Sequence, residues 1–290
     1  MPRTRSEEES WRLALTEPGM SPQAKVFRHL PSDPRCPICR APYGMPFGPI
    51  VNMLGFGRSK RYPQLCNPCF TMMRRERGGA EVPVTVLFAD VRGSTGMAER
   101  SSASDFSVLL SRFYALVTEA VRDEGGIIDK FLGDGVMALF IPSFTEKLHA
   151  EHGLAAARRI LREAELPIGI GLNTGRAFTG FIGPTEEVAG FSAVGDAVNV
   201  AHRLGEAASA GELMVGGDEL SFDQPPAAEP GGTWERRELQ VKGRDQAVRA
   251  WSLRLQSPVG PDSGQKESPE GTAATVDVIS SRPAAPPGRP

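Results

Sequence analysis

The stretch that most constrains the fold is Ile127–Ile141, which reads IIDKFLGDGVMALFI. Two apolar segments flank a Gly-Asp-Gly triplet, and glycines on both sides of one residue permit a tight turn. This pattern predicts two short strands joined as a hairpin, with Asp134 at its tip. The fold must therefore contain a sheet in which a buried hairpin ends in an acidic side chain.

Strand-like and helix-like segments alternate around this hairpin. The apolar run Val82–Val91 predicts a buried strand, and the amphipathic stretch Ala103–Gly126 predicts a helix that ends at glycine. Downstream patterns predict a helix at 145–166, a strand pair at 168–183, a short helix at 194–209, a strand at 211–215 and a closing hairpin at 233–255. The alternation indicates a layered α+β domain.

Composition excludes some classes of partner. Hydrophobic residues make up 40% of the chain and charged residues 23%, as in ordinary globular domains. The formal net charge of -2 gives no overall basic field, so we expect neither nucleic acid nor a membrane as a partner. No run approaches the ~18 apolar residues of a spanning helix, and the first residues lack the apolar core of a signal peptide. We therefore expect a cytoplasmic protein.

The domain order follows from shifts in composition. A polar N-terminal segment contains two possible short helices, at Glu7–Leu15 and Pro22–Leu30. The last residues are rich in Pro, Gly and Ser, which predicts disorder. The expected units are the polar, helical segment 1–35, a cysteine module at 36–70, a charged linker at 71–81, the layered domain at 82–255 and a disordered tail at 256–290.

All four cysteines lie in the cysteine module, as two C-x-x-C pairs separated by twenty-six residues: Cys36, Cys39, Cys66 and Cys69. In a reducing compartment this spacing favours a metal over disulfides, and four thiolates suit tetrahedral structural zinc. An iron–sulfur cluster or a redox dithiol pair is the alternative. His29 is a remote further ligand. We expect a small zinc-ribbon-like module with a dimerisation or regulatory role.

Two aspartates occupy positions that are typical of functional sites, the end of a buried strand and the tip of a hairpin. Asp90 ends the predicted strand that precedes the turn Arg92–Gly96, and Asp134 occupies the hairpin tip. Carboxylates brought together in this way hold divalent cations, and backbone N–H groups at a helix start bind phosphate. Two metals about 4 Å apart can activate a hydroxyl and stabilise a phosphoryl group. Either aspartate alone would read as an ordinary turn residue.

Four stretches together carry a family resemblance: VLFADVRGST, DKFLGDGVMALF, IGIGLNTG and FSAVGDAVNVAHRL. In this order and spacing they resemble the catalytic domain of the class III nucleotidyl cyclases, which make 3′,5′-cyclic nucleotides. The resemblance covers roughly Pro83–Leu253. It implies a ferredoxin-like core, with a central and mostly antiparallel sheet flanked by helices.

The resemblance assigns the metal and phosphate positions. It implies that Asp90 and Asp134 bind two Mg²⁺ or Mn²⁺ ions per active site, with the backbone of Val91 as a further ligand. The turn residues expected near the substrate phosphates are Gly93, Ser94 and Thr95.

The resemblance also assigns two base-reading positions. Lys130 lies four residues before the hairpin aspartate, and an ammonium donates to adenine N1, whereas guanine N1 carries a hydrogen. Guanylyl cyclases place Glu there. Ser192 occupies the second position, where a hydroxyl can accept from the adenine amino group or donate to guanine O6. Lys130 alone therefore predicts ATP. A Ser here is similar to bacterial cyclases that respond to bicarbonate, a response this chain could share.

Asn199 and Arg203 complete the implied site. Their four-residue spacing puts both on one helix face, where the family uses the Asn to position ribose and the Arg to stabilise charge on the α-phosphate. Lys242 is a weaker assignment as a contact to the terminal phosphates, because a strand-end lysine is usually solvated.

The resemblance implies an adenylyl cyclase that converts ATP to 3′,5′-cyclic AMP and pyrophosphate, as a homodimer. Family active sites form between two domains, so one cyclase domain per chain predicts a head-to-tail pair with two composite sites. The alternatives are a guanylyl cyclase that uses GTP, or a catalytically silent binding protein that keeps the fold.

The stretch VGGDELSF, Val215–Phe222, resembles the diguanylate cyclase signature with Leu in place of Phe. That enzyme needs a metal acid on a preceding strand and a following strand. The preceding strand pair has no acid, and the prolines after Phe222 cannot join a central ladder. We therefore interpret Asp218 and Glu219 as surface or helix-start acids outside the catalytic centre.

Overall fold

A computed structural model of the chain describes residues 5–31, 33–185, 187–217, 225–226, 230–240 and 247–255. The N-terminal part contains helices α1 (Arg5–Thr16), α2 (Ala24–Phe27) and α3 (Gly48–Val51), a π-helical turn at Asn52–Phe56, and helix α4 (Asn67–Glu76). The remainder contains β1 (Gly79–Val91), α5 (Ser94–Arg100), α6 (Ala103–Asp123), β2 (Ile127–Leu132), β3 (Gly135–Phe140), α7 (His149–Glu163), β4 (Ile168–Ile182), β5 (Gly190–Val194), α8 (Asp196–Ala207), β6 (Glu212–Gly217), β7 (Gly232–Leu239) and β8 (Val248–Leu255).

Eight strands of the described chain form one sheet, in the order β2-β3-β1-β4-β6-β8-β7, with β5 paired to β4. β1 is central: it pairs antiparallel with β3 on one side and with β4 on the other. Among these strands β4 and β6 form the one parallel pair. The second neighbour of β4 changes along its length, from β6 at residues 169–174 to β5 at residues 178–182.

The long helix α6 shows how the sequence sets its own boundaries. The Ser102 side chain accepts a hydrogen bond from the Asp105 N–H at 3.1 Å, which caps the first turn. Gly125, with φ of +72°, ends the helix in the left-handed region that glycine tolerates. The buried side chains Phe113, Val117 and Ala120 recur every three or four residues and face the sheet. Within the described residues no helix is both long enough and apolar enough to cross a bilayer.

Different segments of the chain pack on the two faces of the sheet. Helices α6 and α7 pack on one face, where Val117 and Ile160 join the β3 side chain Phe140 in one core. On the other face α1 and the cysteine-containing segment share a core with β1, β4 and β5. Leu15 and Leu65 are fully buried in that core. The N-terminal segment therefore contributes directly to the packing of the central sheet.

The range 71–81, expected as a charged linker, contains the end of α4 and the start of β1. Met73 in α4 is buried, and so is Ala80 in β1. The charges that suggested a linker, Arg74–Glu76, occupy the last turn of the helix. Apolar positions at helical spacing thus outweigh the local charge and attach the segment to the sheet.

Candidate active site and cysteine cluster

Asp90 and Asp134 approach each other at one end of the sheet. Asp90 pairs in register with Gly135, and the Val91 N–H donates to the Asp134 carbonyl at 3.2 Å. A Cβ at position 135 would lie 2.9 Å from Asp90 Oδ1, so a larger residue there would displace the Asp90 carboxylate. Burial raises the pKa of the Asp90 carboxyl, and the charge of Asp134 raises it further. Two half-buried carboxylates that repel each other fit a divalent-cation site.

Two neighbouring side chains hold these acids. Arg92 Nη1 donates to Asp90 Oδ2 at 2.9 Å, and the charge of Arg92 partly offsets the rise in the pKa of Asp90. Arg92 also donates to the carbonyl of Gly205 on α8, which links the acidic end of β1 to that helix. Ser94 donates its hydroxyl to Asp134. Sequence reasoning did not single out Arg92, because the motif identified it only as part of a turn.

The turn after β1 has the conformation that the sequence predicts for a helix start. Gly93 precedes α5 with φ of +69°, in the left-handed region. Ser94 begins α5 and Thr95 follows it on the exposed side. Backbone N–H groups at this point lie next to the acidic pair, since Ser94 contacts Asp134. The turn expected to bind phosphate therefore lies next to the expected metal site.

The two predicted base-reading residues meet within one chain. Lys130 on β2 and Ser192 on β5 lie 3.5 Å apart, measured from Nζ to Oγ. The Lys130 side chain is 47% exposed, so the pair faces a solvent-accessible surface. Local sequence patterns gave no means of placing β2 beside β5, because the two strands are neither adjacent in the chain nor paired in the sheet. Only the family resemblance related Lys130 to Ser192.

A third side chain, Asp129, joins this pair, and sequence reasoning missed it. The Ser192 hydroxyl donates to Asp129 Oδ2 at 2.7 Å, and Lys130 Nζ lies 3.4 Å from the same oxygen. The Asp129 side chain is only 5% exposed. Burial raises the pKa of its carboxyl, whereas the hydrogen bond from Ser192 and the charge of Lys130 oppose that rise.

Asn199 and Arg203 lie on the exposed face of α8, as their spacing predicts. The buried face of this helix carries Val200 and Leu204. Within the chain Arg203 Nη1 donates to Glu206 at 2.5 Å. The guanidinium is thus at the surface, next to a residue of its own helix.

Two site predictions fall on residues outside the described ranges, and so does the tail expected at 256–290. Lys242, the candidate for the terminal phosphates, is one of them. Asp218 and Glu219 of the GGDEL stretch are the others, while Gly216 and Gly217 before them end β6. β6 runs parallel to β4 and antiparallel to β8, in the middle of the sheet.

The four cysteines form one buried cluster. Their sulfur atoms all lie within 4.8 Å of one another, and none is in a disulfide: Cys36, Cys39, Cys66 and Cys69. Between the two pairs, the sulfur atoms of Cys39 and Cys66 lie 3.5 Å apart. Hydrogen bonds from the other three thiols lower the pKa of Cys36, which favours a thiolate. Four convergent sulfurs suit a tetrahedral metal. His29 is exposed and its ring accepts from Arg28.

The loop that carries Cys66 also contacts β5 and the residue just before β2, the two strands that carry Ser192 and Lys130. The Tyr62 hydroxyl accepts a hydrogen bond from the Phe191 N–H at 3.0 Å, one residue before Ser192. Gln64 donates its amide to the Gly126 carbonyl, just before β2. The cysteine cluster and the candidate base-reading residues are therefore connected through one loop.

The comparison with known families agrees with this geometry. The sequence model of the adenylate and guanylate cyclase catalytic domain matches residues 79–254. The chain therefore belongs to this family, and the resemblance predicted from the four motifs is confirmed. The mixed α+β fold with a central sheet flanked by helices is confirmed as well.

Individual relatives include both substrate classes. The terminal-differentiation-specific adenylate cyclase of Dictyostelium discoideum is 35% identical over 131 residues, which cover 41% of this chain and 6% of that protein. The crystal structure of the guanylyl cyclase Cya2 matches with a TM-score of 0.52 and 26% identity, covering 63% of this chain and 97% of that one. The adenylyl cyclase CyaB from P. aeruginosa matches with a TM-score of 0.51 and 25% identity, covering 61% and 96%. The chain thus spans only a small part of the curated Dictyostelium relative.

Proposed function

We propose that this chain is an adenylyl cyclase, which converts ATP to 3′,5′-cyclic AMP and pyrophosphate. The observation that carries the choice of ATP is the contact between Lys130 and Ser192, 3.5 Å apart on an accessible surface. An ammonium donor beside a hydroxyl acceptor complements the N1 and amino group of adenine. The adenylate cyclase relatives support the same choice.

The residues around the acidic pair would hold the metals and the triphosphate. Asp90 and Asp134 supply carboxylate oxygens, with the backbone of Val91 beside them, and Mg²⁺ or Mn²⁺ suits such hard ligands. When bound, the two cations activate the ribose 3′-hydroxyl and neutralise charge on the phosphates. Gly93, Ser94 and Thr95 place backbone and hydroxyl donors next to that site.

Asn199 and Arg203 would act in the partner's half of the site. Asn199 orients the ribose so that its 3′-hydroxyl points at the α-phosphate, and Arg203 stabilises the charge that develops there. Their exposed position on α8 supports this role, because a group that completes another copy's site must lie at the surface. We therefore propose a head-to-tail homodimer with two composite sites.

We also propose that the cysteine cluster binds one structural zinc ion per chain. Its four buried sulfurs, all within 4.8 Å of one another, support this choice. Such a metal would fix the loop of Tyr62 and Gln64 against β5 and the start of β2. The module would then support the base-reading strands from the end of the sheet remote from Asp90.

The decisive experiment is a turnover assay of the purified full chain with ATP or GTP and with Mg²⁺ or Mn²⁺. We expect cyclic AMP and pyrophosphate in equal amounts and a clearly higher kcat/KM for ATP. A guanylyl cyclase is the second candidate, favoured by the match to Cya2. A higher kcat/KM for GTP would establish that candidate instead, and no turnover of either nucleotide would indicate a silent member of the family.

A further inference from the structure

We propose that Asp129 is a positioning residue that fixes the Ser192 hydroxyl as a hydrogen-bond acceptor and thereby selects adenine over guanine. This inference rests on the proposed function and deepens it. From the sequence, Ser192 did not discriminate between the two bases, because a free hydroxyl can either accept from adenine or donate to guanine. The structure gives that hydroxyl a fixed direction, since its one proton goes to Asp129 Oδ2 at 2.7 Å.

The burial of the Asp129 carboxylate favours this hydrogen bond. The Asp129 side chain is 5% exposed, so water has little access to compete for its oxygens. An ionised carboxylate accepts hydrogen bonds and donates none, and Lys130 Nζ at 3.4 Å balances its charge. Ser192 therefore has to be the donor in this pair.

A β-bulge makes the arrangement possible. The pairing of β2 with β3 shifts register between Ile128 and Lys130, which leaves Asp129 without a partner residue on β3. In a regular strand, neighbouring side chains point to opposite faces of the sheet, whereas a bulge redirects them. Here both Asp129 and Lys130 reach Ser192.

The consequence for the purine edge follows from counting donors. With its proton committed to Asp129, Ser192 offers only lone pairs, and Lys130 offers only N–H groups. An acceptor beside a donor matches the amino group and N1 of adenine. Guanine presents O6 and N1–H and would face a lone pair opposite O6 and an ammonium opposite N1–H. Both side chains thus favour adenine, while Asp129 itself touches neither base.

The test measures equilibrium binding of 3′-deoxy-ATP and 3′-deoxy-GTP to the full chain with Mg²⁺, by isothermal titration calorimetry. These probes lack the attacking hydroxyl, so affinity is measured without turnover. We expect the wild type to prefer the adenine probe and Asp129→Asn to lower that preference roughly tenfold, the size of one hydrogen bond. The amide can donate to Ser192, which frees the serine proton for guanine O6.

Four further variants separate positioning from a merely structural role. Ser192→Ala should also lower the preference, but by less than Asp129→Asn, because it removes the acceptor without giving guanine O6 a donor. Adding Asp129→Asn to Ser192→Ala should have no further effect. Ser192→Thr keeps the hydroxyl and should retain the wild-type preference. Asp123→Asn makes the same chemical change at an exposed acid that pairs with Arg159, and should change nothing.

Each outcome decides between the claims. If the wild type prefers the adenine probe but neither Asp129→Asn nor Ser192→Ala alters the ratio, the role of Asp129 is refuted and the adenylyl cyclase proposal stands. An Asp129→Asn effect that persists in the Ser192→Ala background also refutes it. A wild type that prefers the guanine probe refutes the proposed substrate itself, and the role of Asp129 with it.

Discussion

The Tyr62 hydroxyl accepts a hydrogen bond from the backbone N–H of Phe191 at 3.0 Å, and Phe191 directly precedes Ser192 on β5. The Tyr62 ring also packs edge-on against the rings of Phe181 and Phe191. A residue of the cysteine-containing segment thus fixes the strand that carries Ser192, a candidate base-reading residue. The N-terminal segment is therefore part of the structural support of the candidate active site.

Replacing Tyr62 tests this support. Tyr62→Phe leaves the buried Phe191 N–H without its acceptor, which should cost about 1–2 kcal/mol of folding free energy. Because Ser192 follows directly, we expect KM for ATP to rise several-fold with a smaller change in kcat. Tyr43→Phe is the matched control, since that hydroxyl donates to Gln64 within the segment. Equal effects of both variants on KM would contradict a specific role for Tyr62.

Complementation between two inactive variants tests the composite site. Asp90→Ala and Arg203→Ala should each lower kcat by at least about 100-fold, because each removes a charge that acts on the phosphates. Random mixing makes half of the dimers mixed, and each mixed dimer has one intact site, so about a quarter of the wild-type activity should return.

A second mixture is the control for this experiment. Asp90→Ala and Asp134→Ala both damage the acidic half, so every site in their mixture lacks a metal ligand. We expect no rescue there. The composite site would be refuted if the Asp90→Ala and Arg203→Ala mixture also stayed inactive while size-exclusion chromatography showed mixed dimers.

Metal analysis tests the cysteine cluster. We expect one zinc per chain by elemental analysis, and Cys39→Ser should lose it and lower Tm, since a structural metal contributes folding free energy. If the analysis found iron and the protein absorbed visible light, the cysteines would hold an iron–sulfur cluster instead of zinc. His29→Ala should leave the zinc content unchanged, because that side chain is exposed. A metal-free wild type with the same Tm before and after chelator treatment would contradict the metal site.

The pH dependence of stability can be tested at Glu212, which is buried at 3% exposure. Burial alone would raise the pKa of its carboxyl, but hydrogen bonds from Ser252 and the Ser209 N–H outweigh burial and lower it. A lowered folded-state pKa stabilises the protein above the unfolded value, near 4.5, and that stability is lost as the pH falls through the folded value.

Glu212→Gln should therefore destabilise the chain by about 2 kcal/mol at pH 7, a fall in Tm of roughly 5 °C. The difference from the wild type should shrink as the pH falls below 4.5, because the wild-type carboxyl becomes protonated as well. Glu238→Gln, at an exposed position on β7, is the control and should have little effect at either pH. A Tm difference independent of pH would contradict this account, and thermal unfolding at pH 7 and pH 4 measures it.

Much of the local structure could be predicted from the sequence. The glycines around Asp134 predicted the hairpin, and the spacing of Asn199 and Arg203 predicted their common helix face, because turns and helices depend on residues close together in the chain. The two C-x-x-C pairs predicted the cluster for a different reason, which is that four thiolates suit one tetrahedral metal. Family membership followed from four such local motifs together.

Other contacts between distant segments could not be predicted. Strand alternation would place Asp129 and Lys130 on opposite faces, whereas the bulge directs both to Ser192. The packing of α1 and the cysteine segment on the sheet likewise contradicts the linker expected at 71–81 from its charges. Sequence thus determined the motifs and their chemistry, since these depend on neighbouring residues. Tertiary structure decided which side chains meet, because β2, β5 and the Tyr62 loop are brought together only by the packing of the whole sheet.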